Sequence, residues 1–254
     1  MSGIYHRIDG VTYCPPDLAQ RYFASNAWVD TTLGDALRAT AARVPARSAY
    51  LSDEATLTFA ELDSRSERLG AALIELGLRP GDRAVFQMGT NVDTVVALMG
   101  AYKAGVVPVC AVPQYREVEI GQLVSQSEAR GYFVQADFSA FDLVGFARQM
   151  MARHASLEHL LVARGKQDDR AGTGHHAIER LIDAMPLERA RDVLGNLRIG
   201  SEDVLSFQLS GGTTGVPKII PRFHAEYIGQ SLTWMRHIGM SEHSRMIWSL
   251  PLLH

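Results

Sequence analysis

One short stretch of the chain combines the residue types that bind phosphate. The residues from Ser210 to Lys218 read Ser-Gly-Gly-Thr-Thr-Gly-Val-Pro-Lys. Glycines permit positive φ angles, so several backbone N–H groups can point at one anion, while hydroxyl groups and an ammonium add further donors. Each charge-assisted hydrogen bond contributes roughly 1.5 to 3 kcal/mol, so three or four donors supply much of the binding free energy of a triphosphate. The stretch therefore predicts a nucleotide triphosphate site.

The stretch differs from other glycine-rich motifs. A Walker A loop places Lys directly after Gly and runs into a helix, whereas two residues separate Gly215 from Lys218 and an Ile-Ile pair typical of a strand follows. A hydrolase nucleophile elbow needs Gly-x-Ser-x-Gly, and Gln208 stands where its first glycine should be. A flexible surface turn is the remaining alternative, but it leaves the hydroxyl-rich composition and the Pro-Lys exit unexplained.

The elements before the loop are typical of an α/β fold. Residues 204–209 read as a strand that leads into the loop, which is where phosphate loops usually lie in parallel sheets. From Thr31 onward, helix-period segments alternate with short apolar runs, which predicts a largely parallel sheet flanked by helices. The clearest helix begins at a Thr58–Glu61 capping box and ends near Gly77.

Further elements follow from the same periodicity. Pro108 predicts an edge or irregular position for its strand, because proline cannot donate a ladder hydrogen bond. Residues 165–175 are polar and turn-rich, which predicts an exposed loop. The other predicted strands cover residues 83–88, 106–112, 132–134, 157–162 and 219–220, and the other helices 91–103, 117–128, 143–153 and 224–237.

Composition narrows the class of protein and its partners. The chain has 254 residues, with 25 Lys and Arg against 28 Asp and Glu, and no basic run that would neutralise a nucleic-acid backbone. Its two cysteines cannot build a disulfide framework, which favours a reducing compartment. No apolar run approaches the roughly 20 residues that cross a bilayer, and the N-terminus has no signal-peptide pattern. We expect a cytoplasmic protein with neither nucleic acid nor membrane as a partner.

With its flanks, the loop resembles the signature of the adenylate-forming (AMP-binding) enzymes. The run from Phe207 to His224 contains the doubled glycine and an Ile-Pro-Arg-x-His tail, which resemble the aryl-acid branch of 2,3-dihydroxybenzoate-AMP and salicylate-AMP ligases. The resemblance extends to Arg21-Tyr22 and to Gly81-Asp82-Arg83, and it covers nearly the whole chain. It implies that residues 31–254 are an incomplete large N-terminal domain, that residues 1–30 pack on it as an extension, and that the C-terminal domain is absent.

The resemblance also implies an activity and a set of site residues. In this family a carboxylate attacks the α-phosphorus of Mg-ATP, releasing pyrophosphate, and a phosphopantetheine thiol of a carrier protein takes the acyl group, as in siderophore biosynthesis. Lys218 would be a mobile catalytic cation, Thr214 would lie near the metal, and His254 of Pro251-Leu252-Leu253-His254 would lie between the acid pocket and the α-phosphate. The residues implied to bind the β- and γ-phosphates are Ser210, Gly211, Gly212, Thr213, Thr214 and Gly215.

Two residues depart from the pattern of the branch, and alternatives stay open. Phe223 stands where threonine is usual and Tyr115 where histidine is frequent, so the acid substrate is not fixed. Because family members are longer, we expect this chain to be a fragment that is inactive alone. An acyl- or aryl-CoA ligase and a non-catalytic nucleotide-binding module are the alternatives.

The remaining histidines carry weaker signals. His175 and His176 fall in the predicted loop with no Cys, Asp or Glu at ligand spacing, so they are interpreted as solvated loop residues and not as zinc ligands. For His224, a structural role and a substrate contact are equally compatible with the sequence.

Overall fold

A computed structural model describes residues 3–165, 173–210 and 217–253. The helices are α1 (Pro16–Ala24), α2 (Leu33–Arg43), α3 (Phe59–Glu75), α4 (Val92–Ala104), α5 (Glu117–Ser127), α6 (Leu143–Arg153), α7 (Ile178–Ala184), α8 (Leu187–Gly195) and α9 (His224–His237). The strands are β1 (Ser48–Leu51), β2 (Thr56–Thr58), β3 (Arg83–Gln87), β4 (Val107–Cys110), β5 (Gly131–Gln135), β6 (His159–Ala163), β7 (His175–Ala177), β8 (Val204–Leu209) and β9 (Ile219–Phe223).

The described residues form a seven-stranded sheet in the order β7-β6-β5-β3-β4-β8-β9. All neighbouring strands are parallel except β8 and β9, which are antiparallel. Strands β1 and β2 form a separate antiparallel pair. The prediction of a largely parallel α/β sheet flanked by helices is therefore confirmed.

Helices cover both faces of the sheet. On one face α2, α3, α4 and α7 share a buried cluster that includes Leu69, Phe86 and Val96. On the other face α5 and α6 pack with β5 around Leu123 and Tyr132. This arrangement follows from the sequence, because strands buried on both faces read as nearly continuous apolar runs.

Local signals position the helix ends as expected. Thr58 and Glu61 make both hydrogen bonds of the capping box that begins α3. Gly105 ends α4 with φ 69°, and a Cβ atom there would lie 2.8 Å from Cβ of Pro80. Only glycine combines that left-handed conformation with so close a neighbour.

The structure corrects two predictions about strands. Of the two alternatives predicted for the strand of Pro108, the edge position is wrong, whereas the irregular position agrees with the single register pair between β4 and β8. Strand β4 lies between β3 and β8 and not at an edge, although it contains Pro108. Val107 and Ala111 donate their N–H groups toward the β3 side, so Pro108 faces β8, where the ladder has a single register pair, Val109 with Phe207. The missing N–H therefore removes no bond from the ladder with β3.

The second wrong prediction concerns the end of the predicted loop. His175 begins β7, a three-residue edge strand that pairs with β6, and both His175 and His176 are partly buried. A strand this short is below the length that periodicity can detect.

None of the described helices is long and apolar enough to cross a bilayer.

Candidate functional site

The two ends of the glycine-rich loop are fastened to each other. The backbone N–H of Ser210 donates to the carbonyl of Lys218 at 3.0 Å, and the backbone N–H of Lys218 donates to Ser210 Oγ at 3.1 Å. Because β9 runs antiparallel to β8, the loop joins two strands as a hairpin. This explains the mismatch with the Walker A pattern, which requires a helix after the loop.

The residues between these two ends lie outside the described part of the chain. They include the residues that were predicted to bind phosphate, Gly211, Gly212, Thr213, Thr214 and Gly215. Thr214 is also the predicted metal ligand. The predicted substrate residue His254 also lies outside it. What the structure fixes is therefore the frame that carries these residues.

Lys218, the residue predicted to be a mobile cation, lies at the exit of the glycine-rich loop. Its side chain is exposed. It lines a cleft of about 1040 Å³ together with Arg7 and Gln122. Lysine carries its charge on a flexible four-carbon stem, so an exposed side chain at this position has several rotamers available to it.

The loop begins at the carboxyl ends of the parallel strands. It lies beside the point where successive strands begin to be added on the other side of β3. Helix α4 connects β3 to β4 on one face, and α5 leaves β4 on the opposite face to reach β5. Strand β8, which ends just before Ser210, is the next neighbour of β4. In open α/β sheets ligands bind in the crevice outside the carboxyl ends of the strands, at such a switch point.

The second predicted motif reaches the same edge. The backbone N–H of Leu252 donates to Thr90 Oγ1 at 3.2 Å, and Thr90 lies in the turn between β3 and α4. Leu253 is 3 % exposed and packs into the core with Phe86. The Pro251–Leu253 segment that precedes His254 is thus anchored at the edge from which the glycine-rich loop emerges.

A buried amide network shapes the turns at this edge. Gln87 is fully buried at the end of β3, and its side-chain NH₂ donates to the carbonyls of Pro113 and Tyr115 at 3.1 and 2.9 Å. The Tyr132 hydroxyl donates to Gln87 Oε1, which fixes the orientation of the amide. Gln87 therefore holds the turn that follows β4, since unpaired buried carbonyls are costly.

A second polar network supports β8 from the other side. Arg222, in the tail of the motif, donates to Gln208 Oε1 at 3.1 Å and to Glu226 Oε2 at 3.1 Å. The Gln208 amide also donates to the Tyr227 hydroxyl at 3.3 Å. Arg222 thus connects α9 to Gln208 near the end of β8, two residues before Ser210.

His224 has a structural role. It is 2 % exposed, and its Nδ1 accepts the backbone N–H of Leu33 at 3.1 Å, at the start of α2. Burial lowers the pKa of His224 to about 4, so the ring is neutral near pH 7 and can accept this bond. Of the two interpretations left open by the sequence, the described contacts support the structural one.

Sequence reasoning missed Gln87 and Thr90. Gln87 interrupts an apolar strand, and a polar residue at the end of a buried strand is a signal that could have found it. Thr90 has no such signal, because only the folded chain brings it to Leu252.

Within the described ranges, no group of three or more His, Cys, Asp or Glu residues is arranged to hold a metal ion.

Comparisons with known proteins agree with this geometry. Pyochelin synthase PchD of Pseudomonas aeruginosa is 33% identical over 248 residues, which cover 97% of this chain and 43% of that protein. The 2,3-dihydroxybenzoate-AMP ligase of Bacillus subtilis is 31% identical over 249 residues, covering 97% of this chain and 43% of that protein. The chain therefore spans less than half the length of these curated relatives.

A solved structure and a family profile complete the comparison. The apo structure of Mycobacterium smegmatis MbtA superimposes with a TM-score of 0.76 and 30% identity, covering 87% of this chain and 39% of that chain. The profile described as AMP-binding enzyme matches residues 37–254. The match covers well over half of the chain and includes the strand-loop-strand frame described above, so the chain belongs to the AMP-binding enzyme family.

Proposed function

We propose that a protein built on this chain activates a small aromatic carboxylic acid with ATP. The carboxylate attacks the α-phosphorus, pyrophosphate leaves, and the acyl-adenylate is then transferred to a thiol, of which a carrier protein's phosphopantetheine is the preferred candidate. The relatives named as 2,3-dihydroxybenzoate-AMP ligase and pyochelin synthase support the aryl-acid assignment. Because the chain spans only part of their length, activity, substrate and acceptor are proposals for the longer protein.

One observation carries this proposal. The glycine-rich loop is closed at the end of β8 by the Ser210–Lys218 contacts, and the segment before His254 is held at the turn after β3 by the Thr90–Leu252 bond. Only β4 lies between β3 and β8, and both sites are at the carboxyl ends of these parallel strands. A reaction between two anions, a carboxylate and a triphosphate, needs a site that positions both and neutralises their charge. The common location of the two motifs supports the proposal that the glycine-rich loop binds the triphosphate and that the segment before His254 lies near the carboxylate.

Each predicted site residue of this chain has a proposed role in the reaction. The backbone donors and hydroxyls from Ser210 to Gly215 would hold the β- and γ-phosphates, and Lys218 would neutralise the charge that develops on pyrophosphate. His254 would lie on the acid side of the α-phosphate. Magnesium would be held mainly by phosphate oxygens with the Thr214 hydroxyl, an all-oxygen set that this ion prefers.

The test is acid-dependent exchange of labelled pyrophosphate into ATP, measured on the protein at the length of its relatives. Salicylate, dihydroxybenzoates, benzoate and short fatty acids form the panel, and exchange only with fatty acids would overturn the aryl-acid assignment. Transfer of the acyl group to CoA instead of a carrier protein would favour the aryl-CoA ligase alternative. If no acid supports exchange while ATP still binds, the non-catalytic module is favoured.

Lys218 provides the site-directed arm of the same test. Lys218→Ala is expected to lower the exchange rate by about tenfold or more, because it removes a cation from the reacting phosphates, with partial recovery in Lys218→Arg. Arg153→Ala, which removes an exposed cation on α6, is the matched control and should leave the rate unchanged. The 254-residue chain alone is expected to give no exchange.

A further inference from the structure

Two histidines that are distant in sequence meet at the edge of the sheet opposite the glycine-rich loop. His159 begins β6 and His176 lies in the edge strand β7. Nδ1 of His159 lies 3.4 Å from Nε2 of His176, and the ring centroids are 5.5 Å apart. Each ring thus presents one nitrogen to the other across neighbouring strands.

The separation of the two nitrogens matches a shared metal ion. A Zn–N bond is about 2.0 to 2.1 Å long, so two nitrogens at the tetrahedral angle lie about 3.3 to 3.4 Å apart. A direct N–H hydrogen bond has its preferred length near 2.9 to 3.0 Å. At 3.4 Å the two nitrogens form a long hydrogen bond, and the same separation suits two ligands of one metal ion.

The charges around the pair also favour a cation. Both rings are partly buried, and a neutral imidazole offers the lone pair of one ring nitrogen to a metal ion. Glu158 Oε2 lies 3.9 Å from the outer nitrogen of His159, and Arg130 bridges Glu158 and Asp82. Two carboxylates and one guanidinium leave one net negative charge beside the pair.

We infer that His159 and His176 form a binding site for one divalent transition-metal ion such as Zn²⁺ or Ni²⁺, completed by water molecules. Imidazole nitrogens prefer these ions, whereas Mg²⁺ prefers oxygen ligands. Because the two ligands lie on β6 and β7, the ion would fasten the three-residue edge strand to the sheet. The site is separate from the proposed nucleotide site and does not depend on the proposed function.

The test is metal-dependent stabilisation of the untagged 254-residue chain after removal of metal with EDTA. Titration with Zn²⁺ and with Ni²⁺ should show one ion per chain by calorimetry, and the melting temperature should keep rising as the metal concentration increases above Kd. Mg²⁺ at the same concentrations should produce neither effect. A chain that shows no stoichiometric binding of Zn²⁺ or Ni²⁺ would overturn the inference without any variant.

Variants then locate the ion. His176→Gln and His159→Gln should each weaken binding at least tenfold and abolish the rise in melting temperature, since one imidazole of two is lost. His243→Gln, which removes an exposed histidine, is the matched control and should bind as the parent does. Equal binding by all three variants would contradict the assignment, and urea unfolding in EDTA checks that each variant is folded.

Discussion

The two edges of the seven-stranded sheet are built differently. At the β9 edge, buried and specific contacts hold the frame of the glycine-rich loop: His224 accepts from Leu33, and α9 packs closely on the segment before α2. Toward the β7 edge, partly exposed ion pairs such as Arg130 with Glu158 join the amino ends of β5 and β6. Buried polar contacts cost far more to break than exposed ion pairs, so the loop edge should be the more rigid of the two.

The largest expected effect comes from His224 at low pH. Its pKa falls from 6.5 in the unfolded chain to about 4 in the folded one, so between these values the unfolded chain binds more protons. Stability is therefore lost as the pH falls from 6.5 to 4, by up to about 3 kcal/mol. Urea unfolding of the parent and of His224→Gln at pH 7 and pH 4 measures this difference.

The variant should show a smaller loss of stability on acidification than the parent, because its side chain does not titrate. His243→Gln, on an exposed histidine, should follow the parent. Parallel curves for His224→Gln and the parent would show that the ring is not held neutral by the fold.

Gly229→Ala probes the packing of α9 at the same edge. A Cβ atom at Gly229 would lie 1.9 Å from the carbonyl oxygen of Ala27, so the helix must shift. We expect a loss of about 2 kcal/mol in the free energy of unfolding. Gly195→Ala is the matched control in α8, where a Cβ atom meets nothing within 4 Å, and it should be neutral or slightly stabilising. Equal losses in both variants would mean that α9 is not closely packed.

Ser210→Ala tests the closure of the loop itself. The substitution removes the Oγ that accepts the Lys218 N–H, a bond worth about 1 kcal/mol. Amide hydrogen exchange at Lys218, followed by NMR, should become about fivefold faster, whereas Ser210→Thr keeps the hydroxyl and should exchange like the parent. An unchanged rate in Ser210→Ala would show that the loop is closed by other contacts.

The smallest effect is expected at the β7 edge. Glu158→Gln removes the ion pair with Arg130, whose side chains are 48% and 30% exposed. In EDTA, the free energy of unfolding should fall by less than about 1 kcal/mol, and the difference should shrink at high salt. A loss as large as that of Gly229→Ala would remove the contrast between the two edges.

Much of the fold was readable from local signals. The spans of α6, β8 and α9 agree with the predicted segments, because each has a strong period or a clear end signal. The edge position predicted from Pro108 was wrong, because the effect of the missing N–H depends on which neighbouring strand it faces. That is a property of the assembled sheet. Strand β7 was missed because three residues carry no detectable period.

The sequence by itself determined the class of the protein and the chemistry of its loop. Ser210 to Lys218 are contiguous, and the types of neighbouring residues are enough to predict phosphate binding. Only the tertiary structure brought Thr90 to Leu252 and His159 to His176, pairs that lie 162 and 17 residues apart. Such pairs are set by strand order and by packing, which act between elements and leave no periodic trace along the chain.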